Sequence, residues 1–375
     1  MLTFGFEEII SHNENFIYTS EHWYFKKLKE HVSIELKHIN DIDCNYYYIV
    51  DMPIWNFLDR TNLENPKLSD KVINDINNKK CKLLFFYEFR AVETKAYEKW
   101  IKKYDLPEKS IVLVTGNYSL DKFYKDNKYI TYFGYSIFEH IHYNDRNKQL
   151  NLPLIEFELI SAITQKSNRE KIFLNYNRRV VFHKIKIVYE LYKANLIDKG
   201  LVSLSTIGEY TNHLEYFPKL FVDLLPFKVD ELDANDIWDM AFDFNVDHYK
   251  NTYFSVVSES VSTVNGVFPT EKIWKAIMGL HPFVLVASPH FLKYLKSVGY
   301  KTFSNWIDES YDLELDETKR IEMVTEEVKK LSSKSHEELQ QMLVEMLPIL
   351  LYNLQHLKRR SVNRELQTQL EKEIS

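Results

Sequence analysis

Glycine is scarce in this chain, with 8 in 375 residues, and no stretch reads G-x-G-x-x-G or G-x-x-x-x-G-K-[S/T]. The glycine loops of dehydrogenases and P-loop enzymes, whose bare backbone approaches phosphate, are thereby excluded. Cysteine is scarcer still: only Cys44 and Cys81, with no C-x-x-C. That excludes a disulfide framework, argues against a zinc site, and points to a reducing compartment, the cytoplasm. No run of about 18 apolar residues occurs, so no membrane-spanning helix is expected. The opening MLTFGFEEIISHNENF lacks a basic leader and an apolar stretch, so it is not read as a signal peptide. His183, His248, His281 and His290 show neither H-x-x-x-H nor H-E-x-x-H spacing and read as structural or surface residues. Hydrolase chemistry has no footing either, since G-x-S-x-G is absent.

What is present is a globular composition. Hydrophobic residues make up 45% and charged residues 27%, enough apolar material for two domains of ordinary size. Aromatics reach 15%, with 25 Tyr and 24 Phe among abundant Asn, Lys and Ile, a pattern of AT-rich coding such as that of a phage, a giant virus or a low-GC bacterium. The net charge of −6 argues against a dedicated nucleic-acid coat. It is unevenly spread: residues 169–199 carry eight Lys/Arg against three acids, and residues 230–247 carry seven acids and no Lys/Arg.

Short apolar runs alternate with helical patterns along the first half. Tyr46–Val50, Lys82–Tyr87, Ile111–Thr115 and Tyr129–Phe133 read as strands, with Leu68–Asn78 and Thr94–Tyr104 as helices. Continuous apolar strands separated by helices indicate a parallel sheet covered on both faces. A second series begins near residue 170. Its strands are Ile172–Asn175, Leu201–Leu204, Tyr253–Val257 and Phe283–Val286. Its helices are Val180–Ala194, Asn235–Phe244, Thr270–Met278 and His290–Ser297. Residues 316–331 and 335–372 carry long helical periodicity. The expected architecture is α/β, with two Rossmann-like lobes facing a cleft and a C-terminal helical tail. The lobes are placed at 1–160 and 161–345, and the tail at 346–375.

Two motifs carry chemistry. In Phe268-Pro269-Thr270-Glu271-Lys272-Ile273-Trp274, Thr270 is placed as an N-cap residue, with Glu271 and Lys272 in the first helical turn. A cation there opposes the helix dipole unless it meets an anion, and a diphosphate docked on the helix N-terminus would supply one. An ordinary capped helix with a solvated Glu–Lys pair explains the same residues. In Asn175-Tyr176-Asn177-Arg178-Arg179, the two arginines at a strand-to-helix junction suit a bidentate grip on phosphate, and equally suit a solvated basic face.

The segment from Tyr253 to Phe303 resembles the donor-binding region of fucosyltransferase-like GT-B glycosyltransferases. The resemblance is carried by the strand at Tyr253, the Ser258-Glu259-Ser260 element and the Thr270-Glu271-Lys272-Ile273-Trp274 helix start. It is reinforced by the Asn177-Arg178-Arg179 element some 90 residues earlier, and the two motifs together span about residues 170–305. It implies a GT-B fold and transfer of a sugar from a nucleotide-sugar donor, with no cofactor beyond that co-substrate. It also implies donor contacts from Asn177, Arg178, Arg179, Glu259, Ser260, Thr270, Glu271 and Lys272, with Glu271 on the ribose and Lys272 on a phosphate.

A direct-displacement transferase needs a carboxylate to take the acceptor proton. Glu88, off the end of an apolar strand, and Asp51 are the candidates. No metal is expected: Asp41 and Asp43 precede a strand, whereas a carboxylate pair holding a metal–diphosphate complex belongs at a strand end. The acceptor is a glycan or lipid-linked saccharide, or a hydroxylated base in DNA, which phage GT-B enzymes modify. The basic stretch Lys358, Arg359, Arg360 and Arg364 either completes a helix end or touches an anionic acceptor. A non-catalytic nucleotide- or nucleic-acid-binding scaffold on the same fold is the reading from outside enzymology.

Overall fold

Residues 1–6, 33–50, 68–87, 101–120, 124–136, 138–139, 151–165, 169–206, 211–229, 244–264 and 266–375 are described by the computed structural model. They fall into two units: Met1–Ile137 with Ser361–Ser375, and Phe138–Arg360. The divisions lie at Ile137 and Arg360, against the 160 and 345 placed from sequence.

Unit 1 is built on six parallel strands in the order β2-β1-β3-β4-β5-β6. These are β1 (Leu2–Phe6), β2 (Ile34–His38), β3 (Tyr46–Val50), β4 (Cys81–Tyr87), β5 (Ile111–Thr115) and β6 (Ile130–Gly134). Every residue of β5 is buried, as a run of Ile, Val and Leu covered on both faces must be. The order reverses between β1 and β3, the doubly wound arrangement of flavodoxin type. Helix α1 (Asp70–Asn77) starts on Ser69, whose hydroxyl accepts from the Val72 amide at 3.2 Å, and buries Val72 and Ile76 in the core beside Leu83 and Phe85.

The last helix also belongs here. It spans Val362–Ile374 and buries Leu366 and Leu370. Tyr47 donates to the Leu370 carbonyl at 2.7 Å, and Lys82 and Thr131 both reach Glu373, at 2.5 and 2.9 Å.

Unit 2 has four parallel strands in the order β10-β9-β7-β8. They are β7 (Phe173–Asn175), β8 (Gly200–Val202), β9 (Phe254–Ser258) and β10 (Phe283–Val286). Its helices are α2 (Leu152–Thr164), α3 (Phe182–Lys193), α4 (Lys219–Val222), α5 (Val246–Lys250), α6 (Glu271–Met278), α7 (Phe291–Ser297), α8 (Glu317–Ser332) and α9 (His336–Arg359), so the Val362–Ile374 helix is α10. Helices α3 and α8 pack together, α8 also lies on β10, and α6 contacts β9 and α9. Two consecutive parallel α/β units with a returning C-terminal helix are the ingredients of a GT-B-like chain.

Several expectations shift. The single helix expected over 335–372 is two helices, because Arg360 is extended (φ −70°, ψ 125°) and Ser361 caps a new start by accepting from the Arg364 amide. Strands β7 and β8 are three residues each, shorter than their apolar runs. Helix α2 straddles the boundary expected at residue 160. The expected Asn235–Phe244 helix lies almost wholly outside the described residues, as do residues 94–100 of the Thr94–Tyr104 helix. Among the described residues no helix is long and apolar enough to cross a membrane.

The docking of α10 predicts that a lesion near the C-terminus weakens the N-terminal sheet. Leu370→Ala should cost unit 1 about 2–5 kcal/mol and Tyr47→Phe about 1 kcal/mol. Urea unfolding followed by a probe in unit 1 reads both, and a Leu370→Ala midpoint equal to wild type would remove α10 from that core.

Candidate functional site

Strand order places the site. In unit 2 the chain runs from β7 outward to β8, then returns to the other side of β7 for β9 and β10, so the order reverses between β7 and β9. Ligands in open parallel sheets bind beyond the strand C-termini at such a reversal. Asn175, the last residue of β7, is fully buried and spans the junction. Its amide donates to the Val256 carbonyl at 2.6 Å and to the Ser258 hydroxyl at 3.2 Å. The Asn177 side chain donates to Asn175 Oδ1 at 2.6 Å, and its backbone N–H reaches the Ser203 hydroxyl, off β8, at 3.1 Å. Asn177 Oδ1 is itself buried without a hydrogen-bond partner.

Beyond β9 the chain enters a loop that leads to α6. Glu259, the first residue of that loop, is 0% exposed. Its carboxylate accepts from the Thr270 hydroxyl and, at 3.4 Å, from the Thr270 amide. Its own carbonyl accepts from His183 Nε2 at 2.8 Å, which ties α3 to the strand end. Burial pushes the Glu259 carboxyl up, while the nearby Lys272 ammonium and the Thr270 hydrogen bonds pull it down. Burial holds His183 down at about 3, so it is a neutral donor and not a titrating base.

Thr270 does stand at the N-cap of α6 in extended conformation, but its side chain makes no capping bond, because the hydroxyl is spent on Glu259. That corrects the simple capping role expected from sequence. Lys272 turns back over the same point. Its Nζ donates to Ser260 Oγ and Thr270 Oγ1, both at 3.1 Å, and pairs with Glu271. The loop is held from behind by Arg320. This buried guanidinium donates to the carbonyls of Ala287 (2.9 Å), Glu314 (2.7 Å) and Ser262. Gly266 lies so close to the Val261 side chain that a Cβ would collide with it, and Ser288 fixes its carbonyl at 2.8 Å.

No protein-family model matches the chain, and no curated protein matches it. Among solved structures, the chain is similar to an alpha1,3-fucosyltransferase crystal structure. The identity is 12% and the TM-score 0.35, over 89% of this chain and 95% of that one. At those values the architecture rests on the strand order given above.

Of the residues singled out from sequence, Glu259, Ser260, Thr270, Glu271 and Lys272 form one hydrogen-bonded chain, and Asn177 joins the adjoining network through Asn175 and Ser258. Arg178 and Arg179 follow Asn177 on the way to α3, with Arg179 exposed. Glu88 and Asp51 lie outside the described residues. Asp41 and Asp43 are exposed ahead of β3, and among the described residues no group of three or more His, Cys, Asp or Glu could hold a metal ion. Two of the four basic residues near the C-terminus are paired, while Arg359 and Arg364 are exposed. Lys358 pairs with Glu156, and Arg360 pairs with the buried Glu139 at 2.6 Å.

Sequence reasoning missed the roles of Asn175 and Lys184, while His183, read as structural or surface, is a buried structural donor. Lys184 carried a signal: with Ile187, Val188 and Leu191 it falls on one stripe of α3, and all four are buried. A lysine on a core stripe is costly to bury and calls for a reason.

The Glu259–Thr270 contact predicts a stability effect with a built-in control. Thr270→Val removes the hydroxyl and leaves a buried carboxyl under-bonded, at a cost of about 1–3 kcal/mol. Calorimetry should show unit 2 melting several degrees lower, and Thr270→Ser should recover most of the loss. Equal melting of the Val and wild-type proteins would mean that Glu259 does not depend on Thr270.

Proposed function

We propose that this protein is a glycosyltransferase that takes a sugar from a nucleotide-sugar donor, with the donor diphosphate at the strand reversal of unit 2. One observation carries the reading: the Lys272 ammonium is tethered by Ser260, Thr270 and Glu271 in the first turn of α6, beyond the β9 C-terminus. A cation held against the positive end of a helix is electrostatically unfavourable alone and favourable once an anion arrives. Arg178 and Arg179, in the loop after β7, add charge to the same reversal, so no metal is needed to neutralise a diphosphate. Glu271 is suited to accept hydrogen bonds from ribose hydroxyls. Glu259, enclosed as it is, acts through Thr270 by fixing where α6 begins.

Glu88 and Asp51 are the candidates for the carboxylate that takes the acceptor proton. Glu88 directly follows β4 and Asp51 directly follows β3, the strand at that sheet's own order reversal. A saccharide hydroxyl is the favoured acceptor over a DNA base, since Lys358 and Arg360 are already paired and offer little to a phosphate backbone.

The test is a thermal-shift and calorimetric screen against nucleoside diphosphates and their sugar esters. A ligand at a hundred times its dissociation constant should stabilise the protein by about 2.7 kcal/mol. Lys272→Ala should weaken that binding about ten- to a hundredfold, the worth of a charged hydrogen bond. No response to any nucleotide would overturn the reading and favour the scaffold alternative. With the donor known, Glu88→Gln and Asp51→Asn should each leave donor binding intact. The variant that lowers turnover by about a hundredfold or more identifies the base, and full activity in both would remove this pair from the mechanism.

A further inference from the structure

Lys184 is the third residue of α3 and is 3% exposed, yet among the described residues no hydrogen bond or ion pair reaches its side-chain amine. A buried ammonium without a partner is among the costliest groups a fold can carry. The charged groups that act on it most strongly belong to the strand reversal, while Arg320, on the α8 helix packed against α3, acts on its neighbour His183. The former are Lys272 and Glu271 from α6, Glu259 from the end of β9, and Arg179 from the loop after β7, while His183 stays neutral. The two carboxylates are engaged elsewhere, Glu259 with Thr270 and Glu271 with Lys272. A second buried polar group at the same reversal, Asn177 Oδ1, is also unpartnered. An unbonded amine on a side chain only 3% exposed and the unpartnered Asn177 Oδ1, beside a tethered lysine, describe a place built to be completed from outside.

We propose that Lys184 is a phosphate-binding residue of this site, which takes up a proton as the diphosphate of the ligand arrives and releases it when the ligand leaves. The inference rests on the donor site proposed above and adds a residue and a coupling to it. Burial, with repulsion from Lys272, pulls the empty-site amine down to about 7. An anion beside it reverses that, because a negative partner favours the charged form. Binding then draws a proton from solvent wherever the empty site is neutral and the filled site is charged.

The sign of the stability effect follows from the same values. The folded amine titrates near 7 and an unfolded lysine near 10.5, so below 7 both are charged and the folded protein carries the full burial cost. Stability therefore rises with pH between about 7 and 10.5. Lys184→Met removes the cost, so the variant should melt above wild type at about pH 6, with the gap closing as pH approaches 10.5.

The decisive experiment is titration calorimetry of wild type, Lys184→Met and Lys272→Ala with a nucleoside diphosphate and with inorganic pyrophosphate. It is run at about pH 8 in buffers of different ionisation enthalpy. Wild type should take up close to one proton per ligand, and its affinity should fall by up to about tenfold per pH unit above 7. Lys184→Met should bind about ten- to a hundredfold more weakly near pH 7, with no proton uptake and a flatter pH profile. Equal affinity and equal proton uptake in wild type and Lys184→Met would overturn the role of Lys184 while leaving the donor site standing. So would a Lys184→Met protein that melts below wild type at about pH 6, since that marks a merely structural lysine. Wild type that binds neither probe would overturn both proposals together.

Discussion

Everything proposed for this chain hangs on one carboxylate kept out of water. Glu259 has no exposure, and its oxygens reach only forward, to the hydroxyl and amide of Thr270. An enclosed acid is tolerable only where donors surround it, so the contact fixes the distance between the end of β9 and the start of α6. The position of Lys272 follows, because its Nζ is bonded to Thr270 and Ser260, the residues at either end of that loop. Helix α3 is drawn in by the His183 bond to the Glu259 carbonyl. Three elements thus meet at one residue that touches no solvent.

The surroundings keep this junction stiff. Arg320 gathers carbonyls from three separate segments, and its planar fork leaves little freedom to any of them. Neutral His183 and His281, both held down at about 3 by burial, contribute hydrogen bonds without charge. At this junction the Glu259 and Glu271 carboxylates are bonded internally, while the Lys184 amine is left with no bonded partner.

Local chemistry decided which parts of this were legible in the sequence. Ile111–Thr115 and Phe283–Val286 were read with their observed limits, since short unbroken runs of β-branched and apolar residues, one stopped by Gly116 and the other started after Pro282, admit few other structures. The start of α6 was legible for the same reason, from Pro269 and Thr270. Strand β1 was not, because five residues around a glycine carry little signal alone. Gly5 makes sense only beside the Tyr46 ring, which fills the space its side chain would need. The site divides likewise. Lys272 and Glu271 declared themselves by position in a motif, whereas the roles of Asn175 and Lys184 depend on which strands become neighbours, and no local pattern encodes that.

The return of α10 to the first sheet has a consequence for the order in which the protein is made. Residues 361–375 leave the ribosome after all of unit 2, although they supply Leu366 and Leu370 to the core of unit 1. The six-stranded sheet must therefore wait, with part of a face uncovered, while more than two hundred residues are added behind it. Domains usually complete themselves in the order of synthesis. Here unit 2 can close before unit 1 does, and the six-stranded sheet is completed by a helix translated after the whole of unit 2.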